Sequence, residues 1–331
     1  MLRFLKSNTP VLMALNVLLV VLTRLIWLVA PVDIHPLYQH QEPLSAWLFE
    51  RLLFHFQPAF FVIAGGVFTF LQSLMVNNLI NRHKATGKRN YLGGILFILM
   101  TTFFREFLLF TPVQIALFFL LIICDKIFRL VRPEKQSGEI FDLGFLSALA
   151  ALFYAPSVLF LPLALIGIYT MRPFSFRELW IVLFGMTAVV FTVFTYYFCN
   201  DRLMDLKYVL VTVSQPHLGV LAHLTNWDIG ILIWMGLLTI AAILGVQGVL
   251  YASSIQIRKF TGVITVSALI AVLSAALCSN FSWAHLTLLA LPMSFLLCLF
   301  FVESKESRVL TILLTILFLS VPLVQYGPFI F

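Results

Sequence analysis

The sequence predicts an all-α protein, a single polytopic bundle of about eleven transmembrane helices that occupies residues 1–331. Three observations predict this fold class: 61% of the residues are hydrophobic, only 11% are charged, and the apolar residues stand in continuous runs. An ordinary soluble domain is about 45–50% apolar and about 25% charged. The surplus apolar surface therefore faces lipid, where each segment must satisfy its own backbone hydrogen bonds, and this requirement favours helices.

Eleven apolar segments are predicted to cross the bilayer. They cover residues 9–30, 58–79, 91–110, 112–128, 140–154, 156–171, 179–199, 228–250, 260–279, 285–302 and 309–326. The fifth and sixth segments are short, because a full crossing needs about 20 residues. They are predicted either as two short helices buried in the bundle or as a re-entrant hairpin.

The distribution of basic residues predicts an N-terminus inside and a C-terminus outside. The chain holds 21 lysine and arginine residues, and under this topology most of them lie in cytoplasmic segments, as the positive-inside rule requires. The exceptions on the outer side are Arg24, Arg51, Arg105, Arg202 and Lys207. Because the basic residues are dispersed among short loops, no nucleic-acid partner is predicted, and the expected contacts are membrane lipids.

Two outer segments, residues 31–57 and 200–227, are long enough to have structure of their own. In the first, apolar side chains recur at helical spacing after Pro43: Leu44, Trp47, Leu48, Leu52 and Phe56. This spacing predicts an amphipathic helix that lies along the outer membrane interface. The second segment also alternates apolar and charged side chains, which predicts a second interfacial helix.

Histidines and carboxylates gather on the predicted outer side. They include Asp33, His35 and Glu42 in the first outer segment and Asp228 at the end of the second. Such groups can supply acid–base chemistry if the two segments fold over each other. Wet interfacial loops also tolerate these residue types without any function. A metal site is the alternative use of the same groups, but none is assigned, because the sequence contains no HExxH motif. The cofactor stays open.

Three charged residues are predicted to lie below the outer membrane surface. Arg105 and Glu106 stand near the end of the third predicted span, where a charge is costly and usually faces a partner or a wet cavity. Adjacent residues on a helix do not face each other, so Arg105 needs a carboxylate from elsewhere, such as Asp33 or Asp228. The alternative is that the side chain extends to the lipid headgroups. The same two interpretations apply to Arg24.

Several segments of the sequence resemble a family of polytopic inner-membrane proteins of Bacteroidota whose activity is uncharacterised. The resemblance rests on Ile140–Pro156 and Arg172–Glu178, together with the opening Met1–Pro10 and the segment Asn77–His83. It implies an inner-membrane protein of the cell envelope. It assigns no catalytic residue.

A more distant likeness is to the polytopic glycosyltransferases that use lipid-linked sugar donors. Those enzymes place a catalytic acid in the first outer loop, before an interfacial helix. Asp33 and Glu42, followed by the predicted helix from Pro43, stand in the corresponding order. The paired-acid motif that many of those enzymes share is missing, which leaves the catalytic role of the two acids in doubt.

Three functions stay open at this point. The first is an envelope enzyme that acts on a lipid or polyprenyl-linked glycan at the outer face, with Asp33, Glu42 and Arg105 as catalytic residues. Its substrate-binding residues would be Arg24, His35, Glu106 and Asp228. The second is a transporter or flippase, which requires polar residues in mid-span. The third is a non-catalytic scaffold subunit that assembles with other envelope or secretion proteins.

Overall fold

The computed structural model describes residues 11–28, 42–53, 55–131, 136–173, 175–204, 226–251, 253–277, 283–304 and 308–330. Within these ranges every regular element is helical, so the all-α class is confirmed. Five helices are long and apolar enough to cross a membrane: Pro58–Arg82, Phe176–Cys199, Ile229–Leu250, Ile255–Ser274 and Trp283–Glu303. These lengths and compositions are those of a membrane protein.

The helices are numbered here in chain order. The first six are α1 (Val11–Arg24), α2 (Pro43–Ala46, continued as a π-helix over Trp47–Leu52), α3 (Pro58–Arg82), α4 (Leu92–Met100), α5 (Pro112–Arg129) and α6 (Ser137–Phe153). The others are α7 (Phe160–Met171), α8 (Phe176–Cys199), α9 (Asn226–Leu250), α10 (Ile255–Leu277), α11 (Ala290–Glu303) and α12 (Arg308–Ile330). Short 3-10 helices cover Ile26–Leu28, Arg105–Leu108, Ala155–Leu159 and Trp283–Leu289. The predicted short pair 140–171 forms two short helices, α6 and α7.

The third predicted span, 91–110, is not one continuous helix. Its helix α4 ends at Met100 after nine residues, a rise of only about 14 Å. The hydroxyls of Thr101 and Thr102 donate to backbone carbonyls three residues back, at 3.0 and 2.6 Å. Such bonds accompany the end of the helix but do not by themselves cause it, since Ser267 makes the same bond inside the continuous helix α10. The prediction of a single helix was wrong, because hydropathy records the length of an apolar run and not where its backbone leaves the helix.

The same segment nevertheless extends along most of α3. The amide of Gly94 donates to the Asn77 side chain at 2.7 Å, and the amide of Phe110 donates to the carbonyl of Phe61 at 2.9 Å. Between Asn77 and Phe61, α3 rises about 24 Å, close to the hydrocarbon thickness of about 30 Å. Residues 92–104 are all buried. An irregular backbone is tolerated at this depth where protein surrounds it.

Helix α2 begins at Pro43, as predicted, but its buried face differs from the prediction. The buried side chains are Phe49 and Leu53, whereas Trp47 and Leu52 are half exposed. The reason is the π-helical turn, in which the amide of Leu53 bonds five residues back and so rotates the side chains away from α-helical positions. Of the second outer segment, only 200–204 and 226–227 belong to the described residues.

One end of the bundle carries a network of ion pairs. Asp125 on α5 accepts hydrogen bonds from Arg129 and from the ring of His83 at the end of α3, the latter at 2.7 Å. Lys126 bonds Glu139 and Asp142 on α6, at 2.6 and 2.7 Å. The network therefore joins the end of α3, the end of α5 and the start of α6.

Candidate functional site

A groove of about 620 Å³ lies between α2 and the C-terminal end of α8. Its volume falls in the range of pockets that hold small molecules. Both helices contribute aromatic and basic side chains to its lining: Trp47 and Arg51 from α2, and Tyr196, Tyr197 and Arg202 from the end of α8 and the turn that follows.

The turn after α8 places Arg202 at the groove. The side chain of Asn200 donates to the carbonyl of Tyr196 at 2.8 Å, which satisfies a backbone acceptor at the helix end. Asp201 then adopts a left-handed conformation with φ of 55°, which aspartate tolerates better than most residues. The amide of Arg202 bonds back to the carbonyl of Tyr197 at 2.9 Å. The chain thus folds back over the end of α8.

The groove combines an apolar wall with basic groups. Arg51 and Arg202 line it together with a single carboxylate, that of Glu50, so its formal charge is positive. On the α8 side, the groove borders a helix whose aromatic side chains are exposed, such as Phe191 at 67% and Phe198 at 60%. In a membrane protein such a surface faces lipid. Guanidinium groups match phosphate because their paired N–H donors fit two of its oxygens.

Glu42, a predicted catalytic residue, lies beside the groove but does not belong to its lining. Its carboxylate accepts a hydrogen bond from the amide of Ala155 at 3.0 Å, and only 8% of the residue is exposed. Ala155 begins the 3-10 helix that links α6 to α7. The contact therefore links the start of α2 to that hairpin, and the catalytic role of Glu42 stays a prediction.

The other residues that were predicted to form a catalytic and substrate-binding site on the outer side are not brought together within the described residues. Asp33 and His35 lie outside them, as do the side chains of Arg105 and Asp228. Glu106 is described, and it is half-buried in the 3-10 helix that follows α4. The convergence of these groups into one site stays a prediction.

Arg24 lies inside the bundle, so the alternative that it extends to the headgroups is wrong. It is 4% exposed, and its guanidinium donates to the hydroxyls of Thr69 at 2.8 Å and Thr23 at 3.4 Å. Gly66 on α3 makes room for it, since a methyl group there would come within 3.0 Å of the arginine side chain. Among the described residues, no carboxylate forms a salt bridge with Arg24.

His285, the outer histidine at the start of the tenth predicted span, is fully buried. Its ring bonds the hydroxyls of Tyr154 and of Ser274, the latter at 2.9 Å. These contacts join α6, α10 and the 3-10 helix before α11, and they leave the ring no access to solvent. Across the ranges given above, no group of three or more His, Cys, Asp or Glu residues is arranged to hold a metal ion.

Sequence reasoning did not assign the groove residues to a site. A signal was present, because Arg51 and Arg202 are two of the five basic residues that depart from the positive-inside distribution. A basic residue that topology does not require can instead serve binding. Their proximity depends on α2 packing beside the end of α8, which the sequence does not reveal.

The comparisons with known proteins identify a family without a described activity. A family model described as a family of unknown function, DUF6427, matches residues 44–327. This region contains Arg51, Arg105 and Arg202 and begins after Asp33 and Glu42. No curated protein and no solved structure matches the chain. Since the match covers most of its length, the chain belongs to this family of unknown function, DUF6427.

Proposed function

We propose that the chain is an inner-membrane protein of the bacterial cell envelope that binds the phosphate-bearing head of a lipid or lipid-linked glycan in the groove between α2 and α8. The observation that carries the proposal is the pair of arginines, Arg51 and Arg202, at a groove that borders a lipid-facing aromatic helix. An amphiphile with an anionic head presents the complementary combination, an apolar tail and a phosphate.

The proposed topology has eleven crossings, with the N-terminus inside. Two groups of helix ends that lie close together support this topology. The ion pairs of His83, Asp125 and Glu139 gather helix ends that were all assigned to the cytoplasm. The groove and the contact between Glu42 and Ala155 gather segments that were all assigned to the outside. Loss of a single crossing between Glu42 and Arg202 would divide these groups.

The proposed activity is that of a glycosyltransferase-like enzyme at the outer face, with the groove as the lipid-phosphate subsite. Asp33 is the proposed acid–base residue, because Glu42 is engaged in a structural contact. An Asp33→Asn variant is then expected to bind lipid phosphate as the wild type does while losing turnover. Normal turnover of this variant would exclude Asp33 from catalysis.

The test of the binding site measures the affinity of the protein in nanodiscs for a polyprenyl phosphate. Arg51→Gln and Arg202→Gln should each weaken binding by roughly 10- to 150-fold, because a charge-assisted hydrogen bond is worth about 1.5–3 kcal/mol. Arg177→Gln is the matched control, since Arg177 is exposed at the start of α8, away from the groove. Unchanged affinity in both groove variants would refute the proposal.

Two further ligands define what the groove recognises. The uncharged polyprenol should bind the wild type no better than it binds the variants, because it lacks the phosphate. Phosphatidylglycerol has a phosphate but a short pair of tails. If it binds as tightly as the polyprenyl phosphate, the groove recognises anionic headgroups in general, and the specific lipid-linked substrate is excluded.

A further inference from the structure

The interface of α1, α3 and α5 concentrates buried polar atoms that make no hydrogen bond with the protein. Apart from Arg129 Nε, which belongs to the ion-pair network at the end of α5, six side-chain atoms on these three helices are of this kind: Asn16 Nδ2, Asn16 Oδ1, Arg24 Nε, Gln72 Oε1, Asn77 Nδ2 and Gln114 Oε1. They are half of all such atoms in the described part of the chain. Buried polar groups are ordinarily satisfied, by protein or by ordered water, so the concentration calls for a ligand.

Three of these residues form one connected group. The hydroxyl of Thr69 accepts from Arg24 at 2.8 Å and from the Gln114 amide at 2.7 Å. The amide of Gln72 donates to the backbone carbonyl of Gln114 at 2.8 Å. The unpartnered atoms of Arg24, Gln72 and Gln114 therefore lie around a common centre on α3.

The other two residues extend the group along the helices. Asn16 precedes Arg24 by eight residues on α1, and Asn77 follows Thr69 by eight residues on α3, each about 12 Å away along its helix. The two helices are antiparallel, because Trp27 packs in one cluster with Phe61. Leu12, at the other end of α1, belongs to the large second cluster, which contains Val76 of α3 but not Phe61. Asn16 and Asn77 consequently lie toward the same end of the interface.

We propose that this interface binds a file of water molecules between the level of Arg24 and the level of Asn77. The unpartnered atoms are three donors and three acceptors. An anion would satisfy only the donors, and a metal cation would satisfy only the acceptors and would be repelled by Arg24. Water both donates and accepts, and a buried water typically makes about three hydrogen bonds to such groups.

The file has a route to solvent at one end. Asn81 stands one helical turn beyond Asn77, is half-buried, and donates to the carbonyl of Asn90 at 2.8 Å. Asn90, in the loop between α3 and α4, is itself buried, so the half-buried side chain of Asn81 is where the polar row on α3 meets the surface. At the opposite end, the positive charge of Arg24 disfavours hydronium and other cations. The proposed water file does not depend on the lipid site.

The first experiment is hydroxyl-radical labelling by X-ray radiolysis of the purified full-length protein, with mass-spectrometric readout. Radicals formed from bound water oxidise the side chains beside it. Leu12 stands one helical turn before Asn16, and Val76 is the neighbour of Asn77 in sequence. Both are fully buried, and Leu296 on α11 is equally buried elsewhere. We expect several-fold more oxidation at Leu12 and Val76 than at Leu296. Equal oxidation at all three would overturn the proposal, whatever the variants below show.

The second experiment replaces Asn16 by leucine, which has nearly the same size. If water binds, Asn16→Leu removes partners from the file and lowers the midpoint of thermal unfolding. If the interface is dry, the same change removes two polar atoms that make no hydrogen bond with the protein and raises the midpoint, which contradicts the proposal. Asn78→Leu is the control, because Asn78 is exposed on α3, and it should leave the labelling of Leu12 and Val76 unchanged.

Discussion

At the scale of single residues, variants of Glu42 can show whether this carboxylate has a structural or a catalytic role. It accepts the amide of Ala155 and is buried. Glu42→Ala should lower the free energy of unfolding by about 1–3 kcal/mol, because a buried donor loses its partner. Glu42→Gln keeps an acceptor oxygen and should retain most of the stability and all lipid binding. Thermal unfolding followed by tryptophan fluorescence measures both.

The control for this prediction is Glu50→Ala, because Glu50 is exposed on the same short helix. This variant should keep a free energy of unfolding within about 0.5 kcal/mol of the wild type. A catalytic Glu42 would behave differently, because a catalytic acid loses its activity when it becomes glutamine. A Glu42→Gln variant that is stable but inactive would therefore restore Glu42 to the catalytic site.

Residue chemistry predicted only part of the candidate site. The sequence predicted Arg51 and Arg202 on the same side of the membrane, but it offered no reason to pair them. Arg24 shows the opposite case: its position near a predicted helix end allowed two interpretations, and only the contact with Thr69 shows that it lies inside. Distances between side chains on separate helices depend on packing, which hydropathy does not encode.

At the scale of helices, α6 and α8 approach closely because of two glycines. A methyl group at Gly144 would lie 1.9 Å from the carbonyl oxygen of Val182, and one at Gly185 would lie 2.2 Å from that of Phe141. Small residues at such crossings let helix backbones pack directly in a membrane. Because α8 forms one wall of the groove, this contact also positions Tyr196 and Arg202.

Gly144→Ala should therefore destabilise the protein and weaken lipid binding together, because α8 must move away from α6. Gly138→Ala on the same helix is the matched control, since a methyl group there meets nothing within 4 Å. It should be neutral or stabilise by up to about 1 kcal/mol through helix propensity. Equal thermal midpoints for the two variants would show that the close approach does not contribute to the fold.

The break after α4 shows what the sequence could not predict at this scale. The length of the apolar run 91–110 indicated a crossing, but the partner that stabilises the break comes from more than 200 residues later in the chain. The amide of Gln325 on α12 donates to the carbonyl of Thr102, and its oxygen accepts from the indole of Trp27 at 2.7 Å. A free carbonyl in a helix break needs such a partner.

At the scale of the whole molecule, composition was sufficient for the fold class and insufficient for the arrangement. Transfer of apolar surface to lipid depends on the total of hydrophobic residues, so the all-α class followed directly. The order in which helices pack depends on glycines such as Gly144 and on polar contacts such as that of Gln325 with Thr102. These are few, and they join residues that are distant in sequence.

The topology can be tested by the labelling of single cysteines. In a variant whose four native cysteines are replaced, a membrane-impermeant maleimide added to intact spheroplasts should label Phe110→Cys and Met204→Cys. Lys88→Cys should react only after the membrane is permeabilised. Phe110 and Lys88 are separated only by α4 and the irregular segment after it, so this pair tests whether a helix of nine residues completes a crossing with the help of a non-helical segment.

Protection of Phe110→Cys from the outside, with labelling after permeabilisation, would mean that α4 and α5 form a re-entrant pair. The eleven-span topology would then fall to nine, while Met204→Cys would still react from the outside, because the removal of two crossings leaves its side of the membrane unchanged.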